Sequence, residues 1–169
     1  GAFERPGLHS GRFVLLPYDV ASGKPLDVLA IRQYPHLRNY LRRAKKKLNS
    51  RRGTLLGAWM KRGCWWALLG VGAYSFAPYK VAWMSYGGSI FRPKIFRSLN
   101  GKCWQGNQAL HAYIPCRSRD DARAIQRALS RPEVSEYLSS FRMSGTRSWA
   151  QPGRISRICE FVGGGNRGL

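Results

Sequence analysis

Basic residues far outnumber acidic residues in this chain. Its 169 residues include 29 Lys and Arg but only 8 Asp and Glu, which gives a formal net charge of +21. Any compact fold must keep most of these cations at its surface, because a buried charge is costly unless it is paired. Hydrophobic residues make up 44% of the sequence, enough for a packed core. The sequence therefore predicts a globular protein whose cationic surface attracts polyanions.

No segment of the sequence has the pattern of a membrane span. The most apolar stretch, Cys64 to Val81, is interrupted by Gly70, Gly72, Pro78 and Lys80. The first residues of the chain lack the charged start and the apolar run of a signal peptide. We therefore expect a cytoplasmic protein without a membrane partner.

The four cysteines give no sign of a metal site or a disulfide framework. Cys64, Cys103, Cys116 and Cys159 are far apart and form no Cys-x-x-Cys pair. A ligand set of Cys103, His111 and Cys116 has spacings that match no standard zinc motif. We expect free thiols and no bound metal.

One segment has a strong helical pattern. Between His36 and Arg51, apolar residues recur at spacings of three and four, which predicts a helix with one buried face. The other positions of this segment are basic, two more arginines end it, and no acidic residue lies within it. A solvated helix face is the alternative, but the missing acidic partners favour a phosphate-binding face. The basic residues are Arg38, Arg42, Arg43, Lys45, Lys46, Lys47, Arg51 and Arg52.

The rest of the chain combines short strands with two further helices. Ser118 and Asp121 form a capping box at the start of one helix, and Pro132 begins another. The predicted fold is α+β, a small twisted, mostly antiparallel sheet with flanking helices, in a single domain with its core at 12–158 and a frayed tail at 159–169. Strands are predicted at Arg12–Pro17, Trp65–Leu68, Tyr79–Met84, Lys94–Phe96, Ala109–Ile114 and Ile155–Val162.

The sequence has little material for catalysis. Acid and base chemistry needs paired carboxylates or a histidine beside a carboxylate, and the three histidines are scattered. Asp120 and Asp121 open a helix, where acidic residues are expected for capping. We therefore expect no catalytic activity from this chain alone.

Several short segments, in this order, resemble a known family. The Tyr-Pro, Tyr-Leu and Leu-x-x-Arg positions of the predicted helix and the later Lys-Val strand carry most of the likeness. The series resembles the C-terminal target-recognition domain of adenine-N6 DNA methyltransferases of restriction-modification and phage-defence systems, the TaqI-like specificity domain. The segments are Phe13–Asp19 with Gly23 and Lys24, Tyr34–Leu41, Leu48–Gly53, Trp65 and Trp66, Pro78–Val81, and Phe141–Ile158.

The resemblance implies a division of labour between two domains. In that family this domain reads the target site on duplex DNA, while a separate catalytic domain binds S-adenosylmethionine and methylates a flipped adenine. The family's catalytic motif contains Pro-Pro, and this sequence has no Pro-Pro pair. The expected partners are therefore duplex DNA and a methyltransferase catalytic domain or subunit, with no cofactor and no small-molecule substrate for this chain itself.

Ten basic residues are candidates for the contact with DNA. The helix is expected to supply contacts to the backbone, and the sheet with its loops a second DNA-facing side; the resemblance puts the helix end near Arg51 and the Lys80 strand close to DNA. Two other functions stay open: an RNA-binding module and a protein-interaction module with a basic surface. The candidates are Arg42, Lys45, Lys46, Arg51 and Arg52 for the helix, and Lys80, Arg92, Lys94, Arg97 and Arg147 for the sheet and loops.

Overall fold

The chain divides into two compact units. The computed structural model describes residues 13–51, 54–86, 90–106, 110–142 and 148–157. One unit is Arg12–Phe76, and the other contains the described residues from Ala77 onward. The prediction of a single domain stays a prediction, because compactness does not decide whether either unit folds alone.

The first unit is helical. Its helices are α1 (Val28–Arg32), α2 (Pro35–Asn49) and α3 (Thr54–Lys61), and a short 3₁₀ helix follows at Ala73–Phe76. The predicted helix at His36–Arg51 is confirmed as α2. Helices α1 and α3 were not predicted, although Asp27 caps α1 by accepting a hydrogen bond from the Ala30 amide at 2.7 Å.

The predicted strand at Arg12–Pro17 is wrong. Residues 13–17 form no strand, and the Tyr18 that follows them makes an isolated antiparallel bridge with Pro25. The turn inside this bridge requires Gly23, whose φ is +66°. A Cβ at Gly23 would lie 1.9 Å from the Ala73 amide nitrogen. The turn is therefore packed against the start of the 3₁₀ helix at Ala73–Phe76, and this contact, not a strand ladder, holds it in place.

The predicted strand at Trp65–Leu68 is also wrong. Residues 65 and 66 form a turn, and Trp66 is 4% exposed in a core shared with Ile31 and Leu41. Backbone polar groups here form hydrogen bonds with side chains. The Trp66 indole donates to the Leu26 carbonyl at 3.0 Å, and the Tyr18 hydroxyl accepts from the Leu68 amide. The aromatic run therefore reflects burial of large rings and not strand pairing.

The second unit is built on a three-stranded antiparallel sheet. Its strands are β1 (Tyr79–Met84), β2 (Lys94–Arg97) and β3 (His111–Cys116), in the order β2-β1-β3. The predicted strands at Tyr79–Met84 and Lys94–Phe96 are confirmed. The third lies two residues later than predicted at both ends.

Helices cover one face of this sheet. Val81 and Trp83 of β1 belong to the same buried cluster as residues of α4 (Arg119–Leu129) and α5 (Pro132–Ser139). The Ser118 capping box is confirmed, because the Ser118 hydroxyl accepts from the Asp121 amide at 3.0 Å while the Asp121 carboxylate accepts from the Ser118 amide at 3.3 Å. The structure confirms a small α+β fold.

The end of the described chain differs from the prediction. A strand was predicted at Ile155–Val162, but residues 152–157 are helical. Ile155 is buried on this helix, so its apolar character serves packing within the core cluster. The remainder of the predicted strand, 158–162, lies outside the described residues.

Candidate nucleic-acid interface

Helix α2 presents a broad basic surface. Leu37, Ala44 and Leu48 are half-buried and Leu41 is buried, and these four residues mark the side that faces the core. Successive residues advance roughly 100° around an α-helix, so the remaining positions cover more than half of its circumference. The basic side chains at those positions are exposed: Arg38, Arg42, Arg43, Lys45, Lys46 and Lys47.

These cations form two rows with a strip between them. Arg38, Arg42 and Lys45 follow spacings of four and three and make the first row, while Arg43 and Lys47 make the second. At 100° per residue the two rows lie roughly 150° apart around the helix axis. Asn39 and Lys46, seven residues apart, occupy the exposed strip between the rows. The two rows and this strip together form the basic face of α2.

The basic face of α2 costs the helix stability. Arg38 and Arg42, like Arg43 and Lys47, are four residues apart, and like charges at this spacing destabilise a helix by about 0.2 to 0.5 kcal/mol per pair. The sequence of α2 contains no acidic residue to offset this repulsion. A cationic surface of this kind is stabilised when an external polyanion neutralises it.

Arg51 is held by the protein itself. Its Nε donates to the Leu48 carbonyl at 2.8 Å, and its Nη2 donates to the Trp65 carbonyl at 2.6 Å. The side chain is therefore half-buried and fastens the end of α2 to the turn at Trp65. Among the predicted backbone contacts, Arg51 is best described as a positioning residue.

Lys80 does not lie at the surface, and its predicted place on a DNA-facing side needs correction. It is 1% exposed, in the central strand of the sheet. Its Nζ donates to the Trp104 carbonyl at 2.7 Å and lies 5.4 Å from the centre of the Tyr113 ring. The Trp104 ring also stacks on Phe96, with 4.2 Å between centroids. This packing separates Lys80 from solvent.

The interior position of Lys80 changes its protonation. Burial lowers the pKa of Lys80 from 10.5 to about 8, while the nearby Cys103 acts in the opposite sense. Desolvation disfavours the ammonium, and the carbonyl and the aromatic ring compensate only in part. Lys80 is therefore a structural group whose charge is sensitive to mildly alkaline pH.

The remaining candidates on the sheet do not form one surface. Arg92 and Arg97 are exposed and Lys94 is half-buried. Side chains alternate along a strand, so Lys94 and Arg97 of β2 point to opposite faces of the sheet. The predicted DNA-facing side of the sheet is thus divided, in contrast to the basic face of α2.

Two candidates, Arg52 and Arg147, lie outside the described residues.

The sequence interpretation missed a set of exposed arginines on α4, although their regular spacing is visible in the sequence. Arg119, Arg123 and Arg127 are four residues apart, and Arg123 makes only a loose pair with Asp120 at 3.9 Å. An exposed pair at this distance contributes little to stability.

Several arginines beside aromatic residues make contacts within the chain. The Arg142 guanidinium lies 5.2 Å from the centre of the Trp149 ring, and that of Arg154 lies 4.5 Å from the centre of Phe141. Arg154 also donates to the Trp149 carbonyl at 3.1 Å. These basic-aromatic neighbours therefore help to hold the described C-terminal part together.

The residues that the structure describes contain neither a candidate metal site nor a candidate membrane span. Within these ranges, no group of three or more His, Cys, Asp or Glu side chains is arranged to hold a metal ion. In the same ranges, no helix has the length and apolar character needed to cross a membrane. Comparisons of this chain with protein-family models, curated proteins and solved structures found no match.

Proposed function

We propose that this chain binds duplex DNA and recognises a target site as the specificity domain of an adenine-N6 DNA methyltransferase whose catalytic domain is separate. The basic face of α2 is the observation that carries the proposal. It gathers six exposed Lys and Arg side chains on one helix without an acidic residue. The net charge of +21 adds a long-range attraction for a polyanion.

Phosphate binding explains this surface better than solvation alone. Each Lys or Arg that neutralises a phosphate releases condensed counterions, which provides affinity independent of sequence. The exposed ammonium and guanidinium groups can reach an external phosphate, and the predicted contacts Arg42, Lys45 and Lys46 are all exposed. The catalytic step and S-adenosylmethionine binding are assigned to the separate domain.

The first test removes three cations from α2. We expect the variant Arg42→Gln, Lys45→Gln, Lys46→Gln to bind a random-sequence duplex more weakly. The slope of log affinity against log salt should be smaller in magnitude by about 2 to 3 than that of the parent chain. Fluorescence anisotropy with a labelled duplex, repeated over a series of salt concentrations, measures both quantities.

The matched control removes three exposed charges outside α2. Lys24, Arg32 and Lys61 are exposed, and the variant with Gln at these positions loses the same formal charge. Its slope of log affinity against log salt should differ from that of the parent by less than about one. Equal losses in the two variants would show that only the diffuse field of the protein acts, and the α2 site would be rejected.

A further inference from the structure

The arrangement of residues on α2 suits insertion between two phosphate backbones. A helix that lies along a single backbone needs one narrow row of cations. Helix α2 instead has the first row of Arg38, Arg42 and Lys45 and the second row of Arg43 and Lys47, roughly 150° apart. Cations on both flanks fit a helix with a phosphate backbone on each side.

The dimensions of α2 agree with the major groove of B-form DNA. That groove is about 12 Å wide, and an α-helix with its side chains has a diameter of about 10 to 12 Å. The 15 residues of α2 give a length of about 22 Å, enough to follow the groove across several base pairs. The minor groove, at about 6 Å, is too narrow for a helix.

Asn39 occupies the strip that would face the bases. Its side chain is exposed between the two basic rows, where an external partner can reach it. Asparagine is a weak helix former, so this position gains nothing from helix propensity. A side-chain amide can both accept from N6 and donate to N7 of adenine, a pair of groups found together only in the major groove.

We infer that α2 is a recognition helix that lies in the DNA major groove, with Asn39 reading an adenine and the two basic rows holding the flanking phosphates. This inference rests on the proposed function and adds to it a specificity-determining residue. Lys46, beside Asn39 on the strip, is within reach of a neighbouring base edge or phosphate.

The test separates base reading from phosphate binding. The full chain would be used to select from a random-sequence duplex library, in parallel with the variants Asn39→Ala and Lys47→Ala. We expect the parent to enrich sites with a preferred adenine, and Asn39→Ala to lose about 5- to 150-fold of discrimination at that one position. Its salt dependence should match that of the parent.

Lys47→Ala is the matched control from the second basic row. It should select the same sites as the parent while the slope of log affinity against log salt falls by about one. Both residues are exposed, and a thermal melt of each variant would show that the fold is kept. Methylation of guanine N7 in the selected sites should weaken binding by the parent, because N7 lies in the major groove.

Three outcomes would overturn the inference. If Asn39→Ala selects the same sites with the same discrimination, α2 does not read bases through Asn39, although duplex binding stands. If the parent binds duplexes but enriches no site, the helix acts only on phosphates. If the parent binds no duplex even at low salt, the proposed function fails, and this inference with it.

Discussion

Lys80 shows how the position of a strand decides the role of a basic residue. In the sequence it stands between Tyr79 and Val81 and looks like one more cation of a basic protein. In the structure β1 is the central strand, and the Lys80 ammonium donates to the Trp104 carbonyl and lies against the Tyr113 ring of the neighbouring strand β3. Alternation along the strand was predictable, but the identity of the central strand was not, because it depends on pairing between distant segments.

Lys80 also predicts a dependence of stability on pH. Burial lowers the pKa of Lys80 to about 8 in the folded chain, whereas the unfolded chain has the ordinary value of 10.5. Between these values the unfolded state binds more protons, so the free energy of unfolding should rise with pH. Relative to Lys80→Met, the parent should gain about 2 to 3 kcal/mol between about pH 7 and pH 10.

Urea unfolding of both proteins across this pH range measures the effect. Burial raises the pKa of Tyr18, Cys64 and Cys116, which works in the opposite direction, but these groups are common to both proteins and cancel in the difference. A difference between parent and variant that stays constant with pH would contradict the buried, proton-releasing Lys80.

Helix α2 was predicted well from the sequence because its signal is local. Apolar residues at spacings of three and four define the buried side, and the basic face follows from what remains. The end of the helix was less predictable. Arg51 reads as another basic residue in sequence, and only the fold brings the Trp65 carbonyl within 2.6 Å of its guanidinium.

Two substitutions separate the structural role of Arg51 from the proposed DNA-binding role of Arg42. Arg51→Met removes two hydrogen bonds from a charged donor and should lower the free energy of unfolding by about 2 to 3 kcal/mol. Arg42→Met, at an exposed position, should change stability by less than about 0.5 kcal/mol. It should instead lower the slope of the salt dependence of duplex binding by about one.

Chemical denaturation and DNA titration of both variants give the comparison. If Arg42→Met destabilises the chain as much as Arg51→Met, the basic face of α2 has a structural role that its exposure does not show. If Arg51→Met leaves stability unchanged, the two carbonyl contacts do not fasten the helix end.

The aromatic segments show the limit of local patterns. Runs of Trp, Tyr and β-branched residues predict strands, and β1 meets this expectation. At Trp65 and Trp66 the same composition forms a turn, since one ring is buried and the polar groups find side-chain partners. Composition alone cannot separate these two outcomes, because both bury large rings.

For the whole molecule, the sequence predicted the α+β class and the cationic surface, and both depend on totals and on strong local patterns. The placement of that charge required the fold. Six cations gather on the basic face of α2, whereas the candidates of the sheet are buried or divided between its faces. The division into two compact units was also not visible in the sequence, which has no low-complexity linker near residue 76.

The proposed binding of duplex DNA is tested most directly by the affinity of the full chain for nucleic acid over a range of salt concentrations. Fluorescence anisotropy would compare a random-sequence duplex, the matching single strand and an RNA of the same sequence. We expect the chain to prefer the duplex, and its log affinity for the duplex to fall by roughly 3 to 6 for each tenfold rise in salt concentration. Preference for the single strand or RNA, or no duplex binding at low salt, would contradict it.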